Sequence, residues 1–202
     1  MANTELAHKY QKKSDKQHVL DNPDTYIGSV ELVDSFNWLY NSANSNIISK
    51  KHNYLPGLYK LFDEGIVNAR DHVIRMMNKN PVTFINIAID DDGVITMVND
   101  GDGIDVAMHP EHNVYIPELI FGHLRTSTNY DKTEKKIVGG KNGFGFKLVL
   151  IWSEWGMVET IDSTRGLKYT QYFKNNLDII EKPTITKCKS KSYTKIVFKP
   201  DY

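Results

Sequence analysis

The sequence predicts an α+β fold of two layers, a mixed and mostly antiparallel sheet with helices on one face. Apolar residues recur every three or four positions from Leu58 to Met77, which is typical of an amphipathic helix. A strand pattern over 82–89, a turn at 91–93 and a second strand pattern over 94–98 then indicate a β-hairpin. Helices inserted between antiparallel strands favour a two-layer sandwich.

Shorter patterns define the other elements. The turn Asn22-Pro23-Asp24 ends any preceding helix, and the Asn- and Ser-rich stretch 41–53 is predicted to be a loop. Pro117 is expected to open a short helix, and a third helix is expected to begin near Phe146. Further strands are predicted over 157–161, 168–173 and 193–198.

Length and composition exclude several classes of protein. The 202 residues include 25 basic and 25 acidic ones, so the chain is unlike a stand-alone basic nucleic-acid-binding protein. The single cysteine, Cys188, excludes a disulfide framework and a cysteine-cluster zinc site. The chain has neither an apolar run of about 18 residues nor a secretory signal pattern. We therefore expect an intracellular protein with no membrane partner.

Two polar residues of the long helix are candidates for nucleotide chemistry. Glu64 and Asn68 are four residues apart and therefore share a face of the helix. A carboxylate can orient an attacking water, and an amide oxygen suits Mg²⁺, which keeps several of its own water ligands. The alternative interpretation is a polar helix face exposed to solvent.

The loop after the hairpin is a candidate adenine site. Asp100 is placed to accept a hydrogen bond from an adenine amino group, and Gly101 and Gly103 would let the base approach the backbone closely. The spacing does not fit a calcium loop. The alternative is an ordinary turn.

A glycine-rich run over 139–147 is a candidate phosphate site. The run leads into a helix, whose free N–H groups and positive dipole end favour an anion, and Lys141 and Lys147 add positive charge. Its spacing fits neither a P-loop nor a dinucleotide fingerprint. The alternative is a flexible loop without a ligand.

In this order, the three signals resemble the Bergerat (GHKL) ATP-binding fold of gyrases, MutL-type repair proteins, heat-shock chaperones of the ninety-kilodalton class and sensor histidine kinases. Longer strings resemble one branch, the N-terminal ATPase domain of eukaryotic-type DNA topoisomerase II, from about Tyr10 to Tyr202. The Lys- and Asn-rich composition suits a large DNA virus or a protist. The strings lie at 10–14, 18–29, 57–69, 115–122, 126–130 and 139–145.

The resemblance implies roles for particular residues of this chain. Glu64 would be the general base that polarises the water attacking the γ-phosphate, Asn68 would ligate Mg²⁺, and Asp100 would read adenine. Tyr26 would belong to an N-terminal strap that reaches the partner subunit's nucleotide. The other implied ATP contacts are Gly103 and Ile104 at the base, and Ser127, Thr128 and Asn129 at the ribose and phosphates. The loop that covers the phosphates would contribute Lys141, Asn142, Gly143, Phe144, Gly145 and Lys147.

The sequence departs from the family pattern at four of these positions or their neighbours. Asp100 is the acid of bacterial members, where eukaryotic members usually carry an amide. His72 replaces a second asparagine, and Phe146 replaces a common alanine. Lys141 replaces an arginine, so the positive charge is kept but the paired hydrogen bonds of a guanidinium group are lost.

The resemblance also implies an organisation: a strap over 1–28 and an ATP-binding domain over 29–202, with the second ATPase subdomain and the DNA-cleavage core absent from this chain. In the complete enzyme, ATP would close a homodimer gate that drives DNA strand passage, with DNA bound through the rest of the chain. The location would be the nucleus, or a viral factory or virion in the host cytoplasm. The chain alone is expected to be a weak or inactive ATPase. The alternatives are a MutL-type or chaperone-type ATPase, or a nucleotide-sensing dimerisation module without turnover.

Overall fold

The computed structural model describes residues 13–124 and 145–202. The helices in these ranges are α1 (Asp15–Asp21), α2 (Pro23–Tyr26), α3 (Pro56–Met76), α4 (Ile116–Gly122) and α5 (Gly145–Ile151). The strands are β1 (Val33–Asn41), β2 (Asn46–Tyr54), β3 (Ile85–Ile89), β4 (Ile95–Asn99), β5 (Ser153–Asp162), β6 (Leu167–Lys174), β7 (Ile179–Ile180), β8 (Thr184–Lys187) and β9 (Thr194–Pro200). Among the described residues, no helix has the length and apolar content needed to cross a membrane.

Seven of the strands form one sheet in the order β3-β4-β9-β5-β6-β7, with β8 also paired to β6. Each strand pair that the structure describes in this sheet is antiparallel. The predicted α+β class is therefore confirmed, whereas the expected mixture of parallel and antiparallel strands does not occur in the described ranges.

The core lies between this sheet and the helices α4 and α5. Phe198 of β9 is opposite Ile95 of β4 and Gly156 of β5, so the three residues share one sheet face. The ring of Phe198 packs edge-on against Phe146 of α5 at a centroid distance of 5.9 Å, and Phe146 packs likewise against Phe121 of α4 at 5.5 Å. These buried rings join the two layers.

Helix α3 lies along β4. At one end, a Cβ added to Gly65 would lie 2.4 Å from the sulfur of Met97 in β4. Two helical turns later, Nε2 of His72 lies 3.0 Å from the position that a Cβ would take on Gly101, just beyond β4. The side chains of α3 between these two contacts therefore reach the end of β4.

The stretch 41–53 is not a loop, which corrects the prediction. It contributes most of β2, which pairs with β1 from Val33 opposite Tyr54 to Asn41 opposite Asn46 in a separate two-stranded sheet. The Asn and Ser residues of β2 have low strand propensity, but strand formation depends strongly on the partner, and β1 supplies the cross-strand hydrogen bonds. Only 42–45 connects the two strands.

The described part of the predicted strap, residues 13–28, packs into the same core. Val19 of α1 is fully buried, and Ile27, just after α2, is 5% exposed; both belong to the main apolar cluster. Ser14 caps α1 by accepting a hydrogen bond from the backbone N–H of Gln17 at 3.2 Å. The core therefore does not divide at residue 28.

Candidate active site

Three predicted site residues meet where α3 passes the start of α5. Glu64 and Asn68 project from successive turns of α3, and Gly145 is the first residue of α5. A Cβ added to Gly145 would lie 3.2 Å from Oε2 of Glu64 and 3.7 Å from Nδ2 of Asn68. The fold thus brings a carboxylate and an amide to the end of the glycine-rich run.

Contacts within α3 orient the two side chains. Nδ2 of Asn68 donates to the backbone carbonyl of Glu64 at 2.7 Å, so Oδ1 is the amide atom that would face a cation. Oε1 of Glu64 lies 2.7 Å from Nζ of Lys60, one turn earlier in the helix. The Glu64 side chain is 18% exposed, and its second oxygen, Oε2, is the one beside Gly145. Lys60 holds the carboxylate on one side, and Oε2 is directed to Gly145 on the other.

Asp100 accepts hydrogen bonds from the segment that precedes β3. Its carboxylate accepts hydrogen bonds from the backbone N–H of Thr83 at 2.7 Å, the Thr83 hydroxyl at 2.5 Å and the backbone N–H of Phe84 at 3.2 Å. Burial acts to raise the pKa of Asp100, but these hydrogen bonds outweigh it and hold the pKa below its ordinary value. The carboxylate ties the chain before β3 to the end of β4. Its predicted contact with adenine stays a prediction.

The preceding residue, Asn99, lies on the side of β4 that faces α3. Side chains alternate along a strand, so Asn99 shares the face of Met97, which contacts the helix. Asn99 is opposite Thr194 of β9, and Thr194 is opposite Thr160 of β5, with the two hydroxyls 3.1 Å apart. Nδ2 of Asn99 donates to the backbone carbonyl of Asp100 at 2.9 Å, so Oδ1 is the acceptor that Asn99 would present. Sequence reasoning missed Asn99, although the alternation along β4 could have identified it.

Gly103 and Ile104 lie against β5. The backbone N–H of Ile104 donates to the Thr160 hydroxyl at 2.9 Å, and its side chain packs partly buried against the core. A Cβ on Gly103 would lie only 1.9 Å from the carbonyl oxygen of Ile161. Both residues therefore lie next to Thr160, and the need for glycine at 103 arises from β5.

Tyr26 and His72 each contact a part of the fold other than Glu64 and Asn68. The Tyr26 hydroxyl is 3.0 Å from Nδ1 of His18, and its ring packs partly buried against the core of its own domain. Burial, and then the charge of Arg75, lowers the pKa of His72, which favours a neutral imidazole at neutral pH. The structure thus groups Tyr26 with α1, and His72 with the loop after β4.

The remaining predicted contacts lie outside the described residues and stay predictions: Ser127, Thr128, Asn129, Lys141, Asn142, Gly143 and Phe144. Within 13–124 and 145–202, no three His, Cys, Asp or Glu side chains cluster as metal ligands. A Mg²⁺ ion held by one amide, phosphate oxygens and waters does not require such a cluster.

Lys147 of α5 is a buried cation, 4% exposed, and burial lowers its pKa from the ordinary 10.5 to about 8. Below pH 8 the lysine is charged in both the folded and the unfolded chain, so the desolvation of the buried charge opposes folding. We expect Lys147→Met to raise the free energy of unfolding at pH 7 by about 1–3 kcal/mol. Urea denaturation of both proteins measures this difference.

The same linkage gives a pH control. As the pH rises from about 8 to 10.5, the folded chain loses the proton of Lys147 before the unfolded chain does, so the cost to the wild type disappears. The stability gain of Lys147→Met is therefore expected to shrink over this range. An equal gain at pH 7 and pH 10 would show that burial of the charge is not its cause.

Comparison with known proteins agrees with this geometry. Residues 54–181 match the family of histidine kinase-, DNA gyrase B- and HSP90-like ATPases, and the chain belongs to this family. It is 50% identical over 202 residues to DNA topoisomerase 2 of Acanthamoeba polyphaga mimivirus, covering 98% of this chain and 16% of that protein. The predicted resemblance is therefore confirmed, while the chain spans about a sixth of the length of this relative.

Solved structures lead to the same assignment. The ATPase region of Saccharomyces cerevisiae topoisomerase II matches with a TM-score of 0.93 and 46% identity over 96% of this chain and 51% of that chain. The ATPase domain of Thermus thermophilus gyrase B matches with a TM-score of 0.64 at 23% identity, over 92% of this chain and 39% of that one, which shows a shared fold. The Bergerat ATP-binding fold is confirmed. The comparisons favour the topoisomerase branch over the MutL-type and chaperone-type alternatives.

Proposed function

We propose that this chain is part of the ATPase region of a type IIA DNA topoisomerase, which binds ATP with Mg²⁺ and hydrolyses it in the complete protein. The observation that carries the proposal is the meeting of Glu64 and Asn68 with Gly145 at the end of the glycine-rich run. Membership of the ATPase family and the similarity to topoisomerase II support it.

The site contains the groups that phosphoryl transfer to water requires, which are mainly positioning and charge-stabilising groups. Oε2 of Glu64 would accept a proton from the attacking water. Oδ1 of Asn68 would hold Mg²⁺, which neutralises charge on the phosphates when bound. Lys147, two residues after Gly145, would add a second positive charge at the phosphates. Burying this charge opposes folding, and a role in binding the anionic phosphates would explain why a lysine is kept there.

Asn99 replaces Asp100 in the proposed adenine site. Its Oδ1 would accept a hydrogen bond from the adenine amino group, with the hydroxyls of Thr160 and Thr194 beside it. An amide at this site is what the resemblance implies for eukaryotic-type members. The shift by one residue therefore removes one of the departures from the family pattern.

The remaining roles are proposed for the complete protein, since this chain covers only 16% of the viral relative. ATP binding would close a homodimer in which the segment of Tyr26 reaches the partner's nucleotide. Ser127, Thr128, Asn129, Lys141, Asn142, Gly143 and Phe144 would contact the ribose and phosphates. DNA would bind through the rest of the chain, in the nucleus or in a viral factory or virion.

Calorimetric titration with a non-hydrolysable ATP analogue and Mg²⁺ tests the nucleotide site. We expect Asn99→Ala to weaken binding at least about tenfold, because a hydrogen bond worth about 1.5 kcal/mol is lost. Asp100→Ala is expected to leave the affinity within about threefold of wild type and to lower the free energy of unfolding by about 1 kcal/mol, since the hydrogen bonds from Thr83 and Phe84 are exchanged for hydrogen bonds to water. The opposite result, with binding lost only in Asp100→Ala, would restore Asp100 as the adenine-reading residue.

A further inference from the structure

Lys60 contacts the carboxylate of Glu64 on the side away from Gly145. Its Nζ lies 2.7 Å from Oε1 of Glu64 and 3.4 Å from Oδ2 of Asp63. The other oxygen of Glu64, Oε2, is the atom 3.2 Å from the Cβ position of Gly145. The two oxygens of one carboxylate therefore have separate partners, an ammonium group on one side and the candidate site on the other.

Helix stability does not account well for this pair. The Lys60 side chain is 39% exposed, and exposed pairs of this spacing contribute only a small fraction of a protein's stability. Isolated helices also favour glutamate before lysine, whereas here the lysine comes first. The Glu64 side chain, at 18% exposed, is more enclosed than that of Asp63, at 41%, and makes the shorter contact. The geometry favours Glu64 as the principal partner.

We propose that Lys60 is a positioning residue for ATP hydrolysis, holding Oε1 of Glu64 so that Oε2 stays directed at the attacking water. The proposal rests on the proposed function, in which Glu64 is the general base. Lys60 acts through Glu64 and is not itself a catalytic residue. The hydrogen bond to Glu64 raises the pKa of Lys60 above its ordinary value, so the ammonium group stays charged across the neutral range.

Steady-state ATPase kinetics of the full-length protein test this role. Lys60→Met keeps the aliphatic stem and removes the charge, which frees the Glu64 carboxylate to adopt other rotamers. We expect kcat to fall about 10- to 100-fold, the size expected when a reacting group is misplaced, with KM for ATP unchanged within about twofold. Lys60→Arg, which restores a cation, is expected to recover most of kcat. The urea midpoint of Lys60→Met should match that of wild type.

Asp63→Asn is the matched control, because it removes the other carboxylate beside Lys60 and leaves the pair with Glu64 intact. Its kcat is expected to equal that of wild type. A rise in KM for Lys60→Met at constant kcat would place the ammonium group on the nucleotide and overturn the positioning role. Failure of Lys60→Arg to recover activity would also overturn it.

Glu64→Gln, measured in parallel, separates this proposal from the proposed function. If Glu64→Gln abolishes hydrolysis while Lys60→Met leaves kcat unchanged, only the role of Lys60 is overturned. If Glu64→Gln itself retains full kcat, the general-base role fails and the role of Lys60 fails with it. In the double variant we expect no loss beyond that of Glu64→Gln, because the two residues act as one unit.

Discussion

Glu64→Gln is expected to lower ATP hydrolysis by the full-length protein about 10³-fold while nucleotide binding persists. A general base contributes about 10²–10⁴-fold to a rate, and the amide has the shape of the carboxylate but cannot accept the proton of the attacking water. The amide oxygen can still accept a hydrogen bond from Lys60, so the side chain is expected to keep its position. Phosphate release measures the rate, and calorimetry with a non-hydrolysable analogue measures binding.

Asp63→Asn is again the control, since it makes the equivalent change at the adjacent residue of the same helix turn, where the side chain is 41% exposed. It is expected to change neither rate nor affinity. Parallel loss of hydrolysis and binding in Glu64→Gln would assign Glu64 to nucleotide binding and argue against proton transfer to its carboxylate.

The long helix and the pairing of its two site residues were predictable because both are local. The apolar stripe from Leu58 to Met77 corresponds to α3 at Pro56–Met76, within two residues at each end. The four-residue spacing of Glu64 and Asn68 places them on one face of any α-helix. Their proximity to Gly145 is not local, because it depends on how α3 and α5 pack on the sheet, and no spacing in the sequence specifies that packing.

The choice between Asn99 and Asp100 shows a different limit. Neighbouring residues of a strand point to opposite faces, so an error of one position exchanges the side chain at the site for one that points away. Both residues carry an oxygen acceptor, so residue type alone does not distinguish them. Met97 packs against Gly65 of α3, so Asn99, two residues later on β4, lies on the face towards α3. Asp100 instead accepts hydrogen bonds from Thr83, before β3.

Gly103→Ala is expected to lower the free energy of unfolding by about 3 kcal/mol or more, and to abolish nucleotide binding with it. The added Cβ would lie 1.9 Å from the carbonyl oxygen of Ile161 and 2.7 Å from its carbonyl carbon. Both atoms belong to the backbone of a paired strand, which cannot move aside as a side chain would. The chain near Gly103 would have to leave β5, breaking the hydrogen bond from Ile104 to Thr160 beside the proposed base site.

Gly166→Ala provides the matched control because it makes the same chemical change where there is space. The nearest atom to its Cβ position is the carbonyl oxygen of Cys188 at 3.6 Å, and the cost comes from its φ of +63°. A left-handed alanine costs about 1–2 kcal/mol, so urea denaturation is expected to show a clearly smaller loss for Gly166→Ala. Equal losses of unfolding free energy in Gly103→Ala and Gly166→Ala would mean that the segment at Gly103 can shift away from β5 at little cost. In that case close approach of the base would be the better reason for glycine at this position.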